Sequence, residues 1–241
     1  MCNFFSFCTQ PSANSDFYYF DWKQRLEMKH NGADSHSHIC AHYKLDEDKC
    51  NKWEYNPLTK ELTLDMQNDP KDDTKRAKRW VEKLDWKAIV EPLVIKPIIN
   101  PFKLPAVESV TEEQIGWLKE WALVRDSVWA SVRTLVRDSV RDSVRDSVGD
   151  SVWDSVGASV WDSVGALVGT LARDSVWDSI RDSVWDSVGA YISSFFAVKY
   201  SIDFSSAIKL WESGLAPTFD GETWRLHTGK HARVVYEWKK G

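Results

Sequence analysis

A four-residue repeat fills residues 125–192 without insertion or deletion, and it constrains the fold more than any other feature of the sequence. Its units follow the form [Arg/Trp/Gly]-[Asp/Ala/Thr]-Ser-Val, and the fourth slot is always apolar. We therefore predict that the fourth slot faces a core. Because residues of an α-helix lie about 100° apart, this apolar stripe would turn by roughly 40° per unit. One straight helix therefore cannot bury the whole stripe.

Two conformations fit such an array. The first is a set of shorter helices that break near Gly149, Gly157, Gly165 or Gly169, each with its own buried face. The second is a small β-solenoid in which each unit forms one side and Val points inward. Helical periodicity in the sequence on both sides of the repeat favours helices, so we predict a helical array and keep the solenoid as the alternative.

The tryptophans of the array occupy alternate first slots. An eight-residue duplication in the gene would produce the same spacing without any structural meaning. Tryptophan is nevertheless among the residues most enriched at interaction hot spots. We therefore take these five side chains as the candidate interaction surface: Trp129, Trp153, Trp161, Trp177 and Trp185.

The sequence divides into four segments, and together they predict an α+β fold. Residues 1–105 form a small mixed domain, with a hairpin over 52–65, a helix over 72–84 and a proline-rich exit. Residues 106–124 form a leading helix that starts at a capping box, Thr111 to Gln114. The array follows at 125–192. Residues 193–241 form a closing element with a helix over 206–213 and a β-hairpin.

Composition and the absence of known motifs narrow the function. The net charge of −5 argues against nucleic acid as a partner. No apolar run reaches the length of a membrane helix, and the first residues do not form a signal peptide, so we expect a cytoplasmic protein without a membrane partner. The common phosphate-binding, hydrolase and metalloprotease motifs are missing, so we expect neither enzymatic activity nor a cofactor.

Two small groups of polar residues could bind a ligand. On a strand, His36, His38, Cys40 and His42 would project from one face and could hold a metal together with another cysteine. A solvated surface loop is the competing interpretation, and we expect no metal there. Near the C-terminus, a second group could bind a small anion such as a nucleotide: Arg225, His227, Lys230 and Arg233.

The array, the first residues MCNFFS and the segment WESGLAPTFDGETWRLH resemble uncharacterised tetrapeptide-repeat proteins of gut bacteria and their phages. The resemblance implies a phage or mobile-element origin, with the host cytoplasm as location, and it implies no activity. We therefore expect a non-catalytic structural or protein-interaction protein that binds a protein partner or itself. The alternative is a protein that binds or sequesters a small anionic ligand through its terminal domains.

Overall fold

The computed structural model describes residues 4–28, 32–90, 93–128, 148–168 and 174–239. These residues form a mixture of helices and small antiparallel sheets, which confirms the α+β prediction. They divide into two compact units. The first contains the described residues up to Pro97 together with Val148, and the second contains the described residues from Ile98 onward, without Val148.

The first unit contains a four-stranded antiparallel sheet. Its strands are β1 (Phe5–Thr9), β2 (Phe17–Tyr18), β3 (Asn51–Asn56) and β4 (Glu61–Met66), in the order β2-β1-β3-β4. Strands β3 and β4 form the hairpin predicted over residues 52–65. The Asn56 side chain fixes the start of the turn, because its amide oxygen accepts a hydrogen bond of 2.9 Å from the Leu58 backbone N–H.

One face of this sheet carries an aromatic core. Side chains alternate along a strand, so Phe5 and Phe7 of β1 share a face with Trp53 and Tyr55 of β3. The helices that pack on this face are α3 (Thr74–Val81), which lies inside the predicted helix over 72–84, and α4 (Trp86–Ile89). The Trp80 ring lies 4.8 Å from Phe7, and the Trp86 ring lies 4.8 Å from Phe5.

The other face of the sheet is covered by helix α2 (His36–Tyr43), while α1 (Trp22–Glu27) precedes it in the chain. The buried side chains Ile39 and Cys40 of α2 pack with Cys8, Cys50 and Phe20. This face therefore carries sulfur and polar groups where the opposite face carries aromatic rings.

The second unit combines long helices with a three-stranded sheet. Helices α5 (Glu112–Val128), α6 (Ala158–Val168), α7 (Asp174–Ser193) and α8 (Ser205–Glu212) precede strands β5 (Ala216–Phe219), β6 (Thr223–Thr228) and β7 (Arg233–Lys239). Helix α5 begins with the predicted capping box, since the Thr111 N–H donates to Gln114 Oε1 and the Gln114 N–H donates to Thr111 Oγ1. Buried Leu118 and Trp121 of α5 join Leu210 of α8 and Trp224 of β6 in one core.

The described part of the array, residues 125–128, 148–168 and 174–192, is helical throughout. This confirms the helical prediction for these residues, and no sheet of the described chain closes into a solenoid. Of the four glycines offered as alternative break points, Gly149, Gly157 and Gly165 lie inside helical segments and do not break the helix. Gly169 lies outside the described residues. Residues Trp153–Gly157 form a π-helical turn, which runs directly into α6 at Ala158.

Candidate functional site

The fourth slot of the repeat faces a core, as predicted. In the second unit every fourth-slot residue with a described side chain between 152 and 188 is buried: Val152, Val156, Val160, Val164, Ile180, Val184 and Val188. From Val152 to Val164 an α-helical stripe would turn by about 120°. The π-helical turn takes up one additional residue, or about 100° of rotation, and so returns the stripe to nearly the same face.

The third slot is a second buried position along α7. Ser183 and Ser187 are buried, and each hydroxyl donates a hydrogen bond of 2.8 Å to the carbonyl three residues earlier. A small side chain that satisfies its own hydroxyl can lie inside a core without a polar penalty. Ser183 also contacts the sheet, because its oxygen accepts a hydrogen bond of 3.0 Å from the Phe219 N–H of β5.

Two tryptophans of the first slot meet face to face. The Trp153 and Trp185 rings lie 3.7 Å apart with an angle of 5° between their planes, although 31 residues separate them in the chain. The Trp153 ring lies over Gly157, where an added Cβ would come within 2.0 Å of its Cε3 atom. Trp185 keeps 49% of its surface exposed. The pair is therefore an aromatic platform that is open on the Trp185 side.

The remaining predicted tryptophans do not join this pair in the described structure. Trp161 is half-buried on α6. Trp129 lies outside the described residues, and so does the side chain of Trp177. The candidate surface seen in the structure is accordingly the Trp153–Trp185 stack and its surroundings on α7.

Charged repeat residues flank the stack along α7. The Arg181 guanidinium lies 2.9 Å from the Asp178 carboxylate and 3.9 Å from Asp182, and all three side chains are exposed by more than a third. On the buried side, Asp186 pairs with Arg125 of α5 at 2.7 Å. The outer face of α7 thus presents acidic, basic and aromatic groups within about two helical turns.

Three of the four residues of the predicted anion site, Arg225, His227 and Arg233, contact other parts of the protein. Burial disfavours the charge of Arg225, but hydrogen bonds to Asp220 and Glu237 outweigh it and raise the pKa of the guanidinium. Arg233 lies 3.3 Å from Glu108, and Lys230 is exposed. The charges of Arg225 and Arg233 are therefore balanced within the protein.

His227 is buried in the closing sheet. Its Nδ1–H donates to the Ala232 carbonyl at 2.9 Å, and its Nε2 accepts from the Thr218 hydroxyl at 2.8 Å. Burial lowers the pKa of His227 to about 4, so the ring is neutral near neutral pH. A neutral ring with both nitrogens bonded offers no charge to an anion.

A pocket of about 390 Å³ lies in the second unit, between the end of α7 and the start of α8. Its lining includes Ser194, Tyr200 and Asp203, and the one charged residue among its lining residues is Asp203. Such a pocket does not favour an anionic ligand.

The four candidate metal ligands would share a face only on a strand, and the competing interpretation is a surface loop, but residues 36–43 form helix α2. The Ser35 hydroxyl caps this helix by accepting a hydrogen bond from the His38 N–H. Alternate residues of a helix point to different sides, so the four candidate ligands separate. His38 and His42 are exposed, whereas His36 and Cys40 are buried against the sheet.

Cys40 lies in a cluster of thiols. Its Sγ is 3.6 Å from Cys8 Sγ and 3.9 Å from Cys50 Sγ, and all three side chains are buried. Hydrogen bonds from Cys50 and Cys8 lower the pKa of Cys40, whereas the bond to Cys40 and burial raise the pKa of the other two thiols. The contacts within the cluster therefore favour the thiolate form of Cys40 over those of Cys8 and Cys50.

His36 meets two carboxylates that the sequence did not single out. Its ring nitrogen and carboxylate oxygens of Glu54 and Asp65 all lie within 4.8 Å of one another. The hairpin brings Glu54 of β3 and Asp65 of β4 to the sheet face that α2 covers. Alternation along the predicted hairpin could have placed these two side chains on one face, but only the packing of α2 adds the histidine.

Among the described residues, no helix has both the length and the apolar composition required to cross a bilayer. In the comparisons with known proteins, no family model, curated protein or solved structure matches the chain.

Proposed function

We propose that this chain is a non-catalytic structural protein whose repeat-built surface binds a second copy of itself. The observation that carries the proposal is the Trp153–Trp185 stack, in which a large aromatic side chain stays half-exposed. The fourth-slot side chains described between residues 152 and 188 are already buried inside the second unit. The exposed tryptophan is thus apolar surface that the unit does not use for its own core.

The charges beside the stack support a second copy as the partner. Asp178, Arg181 and Asp182 provide both signs of charge on the same face of α7 as Trp185. In a two-fold symmetric contact each surface meets itself, so a patch must be self-complementary. A face with neighbouring acidic and basic groups around an aromatic side chain meets this requirement.

The experiment measures the molecular mass of the full chain by sedimentation over a range of concentrations. We expect a concentration-dependent dimer or larger assembly, and we expect Trp185→Ser to shift the mass to that of a monomer. Leu123→Ser is the matched control, because Leu123 is a large apolar side chain on α5 that is 64% exposed. Its loss should leave the association unchanged.

A wild-type chain that stays monomeric at every concentration would refute the proposal. So would a Trp185→Ser variant that associates as strongly as the wild type. Equal weakening by Leu123→Ser and Trp185→Ser would show a general response to lost apolar surface and would also contradict it.

A further inference from the structure

We infer that His36, Glu54 and Asp65 form a binding site for a divalent first-row transition-metal ion in the first unit. The three ligand atoms come from helix α2 and from the two strands of the β3–β4 hairpin, and they lie within 4.8 Å of one another. This inference is independent of the proposed self-association, which concerns residues of the second unit.

The orientation of the His36 ring is the first argument. Its Nε2 lies 3.1 Å from the Trp53 backbone oxygen, and a carbonyl oxygen can only accept, so Nε2 carries the hydrogen. In the neutral ring the lone pair is then on Nδ1. Metal-binding histidines are oriented in the same way, by a hydrogen bond from the second nitrogen to a carbonyl or a carboxylate.

The distance between Nδ1 and the Asp65 carboxylate is the second argument. It is 3.7 Å, which is longer than a hydrogen bond. An ion bound about 2.0–2.2 Å from each ligand atom holds neighbouring ligands roughly 3–4 Å apart. The 3.7 Å separation of His36 and Asp65 lies in this range. A small rotation of the half-exposed Asp65 side chain can bring in any longer separation within the group, which reaches at most 4.8 Å.

Burial and access give the third argument. Glu54 is 7% exposed and His36 is 8% exposed, whereas Asp65 is half-exposed. Packing therefore holds two of the three ligand groups in place, and Asp65 at the rim gives an ion a route from solvent. Carboxylate and imidazole groups that converge at a largely buried position are the kind of surroundings in which proteins bind divalent metal ions.

The Ser6 hydroxyl is an independent indication of a missing ligand. Ser6 lies directly opposite Glu54 in the pairing of β1 with β3, so both side chains project from the same face of the sheet. Its side chain is fully buried, and within the described structure its oxygen has no hydrogen-bond partner. A water molecule bound to the ion would give this hydroxyl a partner.

The donor set defines the class of ion. One imidazole and two carboxylates suit zinc, iron, cobalt or manganese in the divalent state. Magnesium favours oxygen ligands and keeps its own water shell, so we expect it to bind more weakly. The thiol cluster of Cys8, Cys40 and Cys50 could compete for zinc, so the test requires an ion whose spectrum reports its ligands.

Cobalt(II) titration of the full chain near neutral pH is the direct test. We expect saturable binding of one ion with absorption bands typical of nitrogen and oxygen ligands. Asp65→Asn should weaken the affinity by about tenfold or more, because it removes a ligand charge at a half-exposed position where folding is not at risk. His38→Ala is the matched control, since it removes an exposed imidazole from the same helix, and it should leave the affinity unchanged.

Three results would overturn the inference. The first is no saturable binding of cobalt(II) by the folded wild type. The second is a thiolate-to-metal charge-transfer band, which would locate the ion at the cysteines. The third is an unchanged affinity in Asp65→Asn. Thermal unfolding of each variant without metal checks that the variant is folded.

Discussion

At the scale of single residues, Gly157 shows how one repeat slot acquires a structural role. A side chain at Gly157 would collide with the Trp153 ring, whereas a side chain at Gly189 in α7 would meet no atom within 4 Å. In Gly189→Ala we expect stabilisation by about 0.5–1 kcal/mol, since alanine is the better helix former. In Gly157→Ala the displaced ring should lose its stack, so this gain should be cancelled or reversed.

Chemical denaturation checks the stability of both glycine variants, and near-ultraviolet circular dichroism follows the coupling between the two indoles. If Gly157→Ala were as stabilising as Gly189→Ala and kept the same spectrum, the contact between Gly157 and the Trp153 ring would have no energetic role.

His227 makes stability depend on pH. Its pKa is about 4 in the folded chain and 6.5 in an unfolded one, so the unfolded state binds a proton first as the pH falls. The contribution of His227 to stability should therefore be constant above about pH 6.5 and should be lost as the pH falls from 6.5 to 4. For one proton the total loss is roughly 3 kcal/mol.

Unfolding free energies measured across this range provide the check. In His227→Gln the amide can still bond to Thr218 and Ala232 but cannot titrate, so the decline between pH 6.5 and 4 should be reduced relative to wild type. His231→Gln, which replaces an exposed ring in the neighbouring turn, should retain the full decline. Identical pH profiles for His227→Gln and the wild type would contradict the assignment.

At the scale of elements, the environment of α7 decides what a repeated serine contributes. Ser183 and Ser127 both occupy the third slot and both donate a 2.8 Å hydrogen bond to the carbonyl three residues earlier. Ser183 is buried and also accepts the Phe219 N–H of β5, whereas Ser127 is exposed on α5. Ser183→Ala leaves that N–H without its acceptor and should destabilise the chain by about 1–2 kcal/mol.

Ser127→Ala is the matched control for Ser183→Ala, and its effect should lie within about 0.5 kcal/mol of zero. Equilibrium denaturation of the two variants measures the difference. Equal effects would mean that the bond to β5 contributes nothing and that the two serines are interchangeable.

At the scale of the whole molecule, each unit has its own core built from different residue types. The first unit packs aromatic side chains such as Phe7 and Trp53 between a sheet and two short helices. The second uses Trp121, Leu210 and Trp224 together with the valines of the array. The candidate metal site belongs to the first unit and the aromatic platform to the second, so the two proposals can be tested separately.

The sequence by itself determined the elements whose signals are local. The capping box at Thr111, the hairpin over residues 52–65, the helix after Asp73 and the closing strands follow from hydrogen bonds and side-chain alternation between near neighbours. The constant apolar fourth slot also predicted a buried stripe correctly, because burial of that slot is required in either conformation of the array.

Only the tertiary structure decided what depends on contacts distant in sequence. The candidate ligands at 36, 38, 40 and 42 recur at every second position, a spacing that would suit a strand. Ser35 nevertheless caps the segment as a helix, and the packing of this helix on the sheet places His36 beside Glu54 and Asp65. The π-helical turn at 153–157 and the pairing of Trp153 with Trp185 likewise arise from packing between helices. The same residue type recurs in equivalent slots, as with Ser127 and Ser183, so only the surroundings can give such residues different roles.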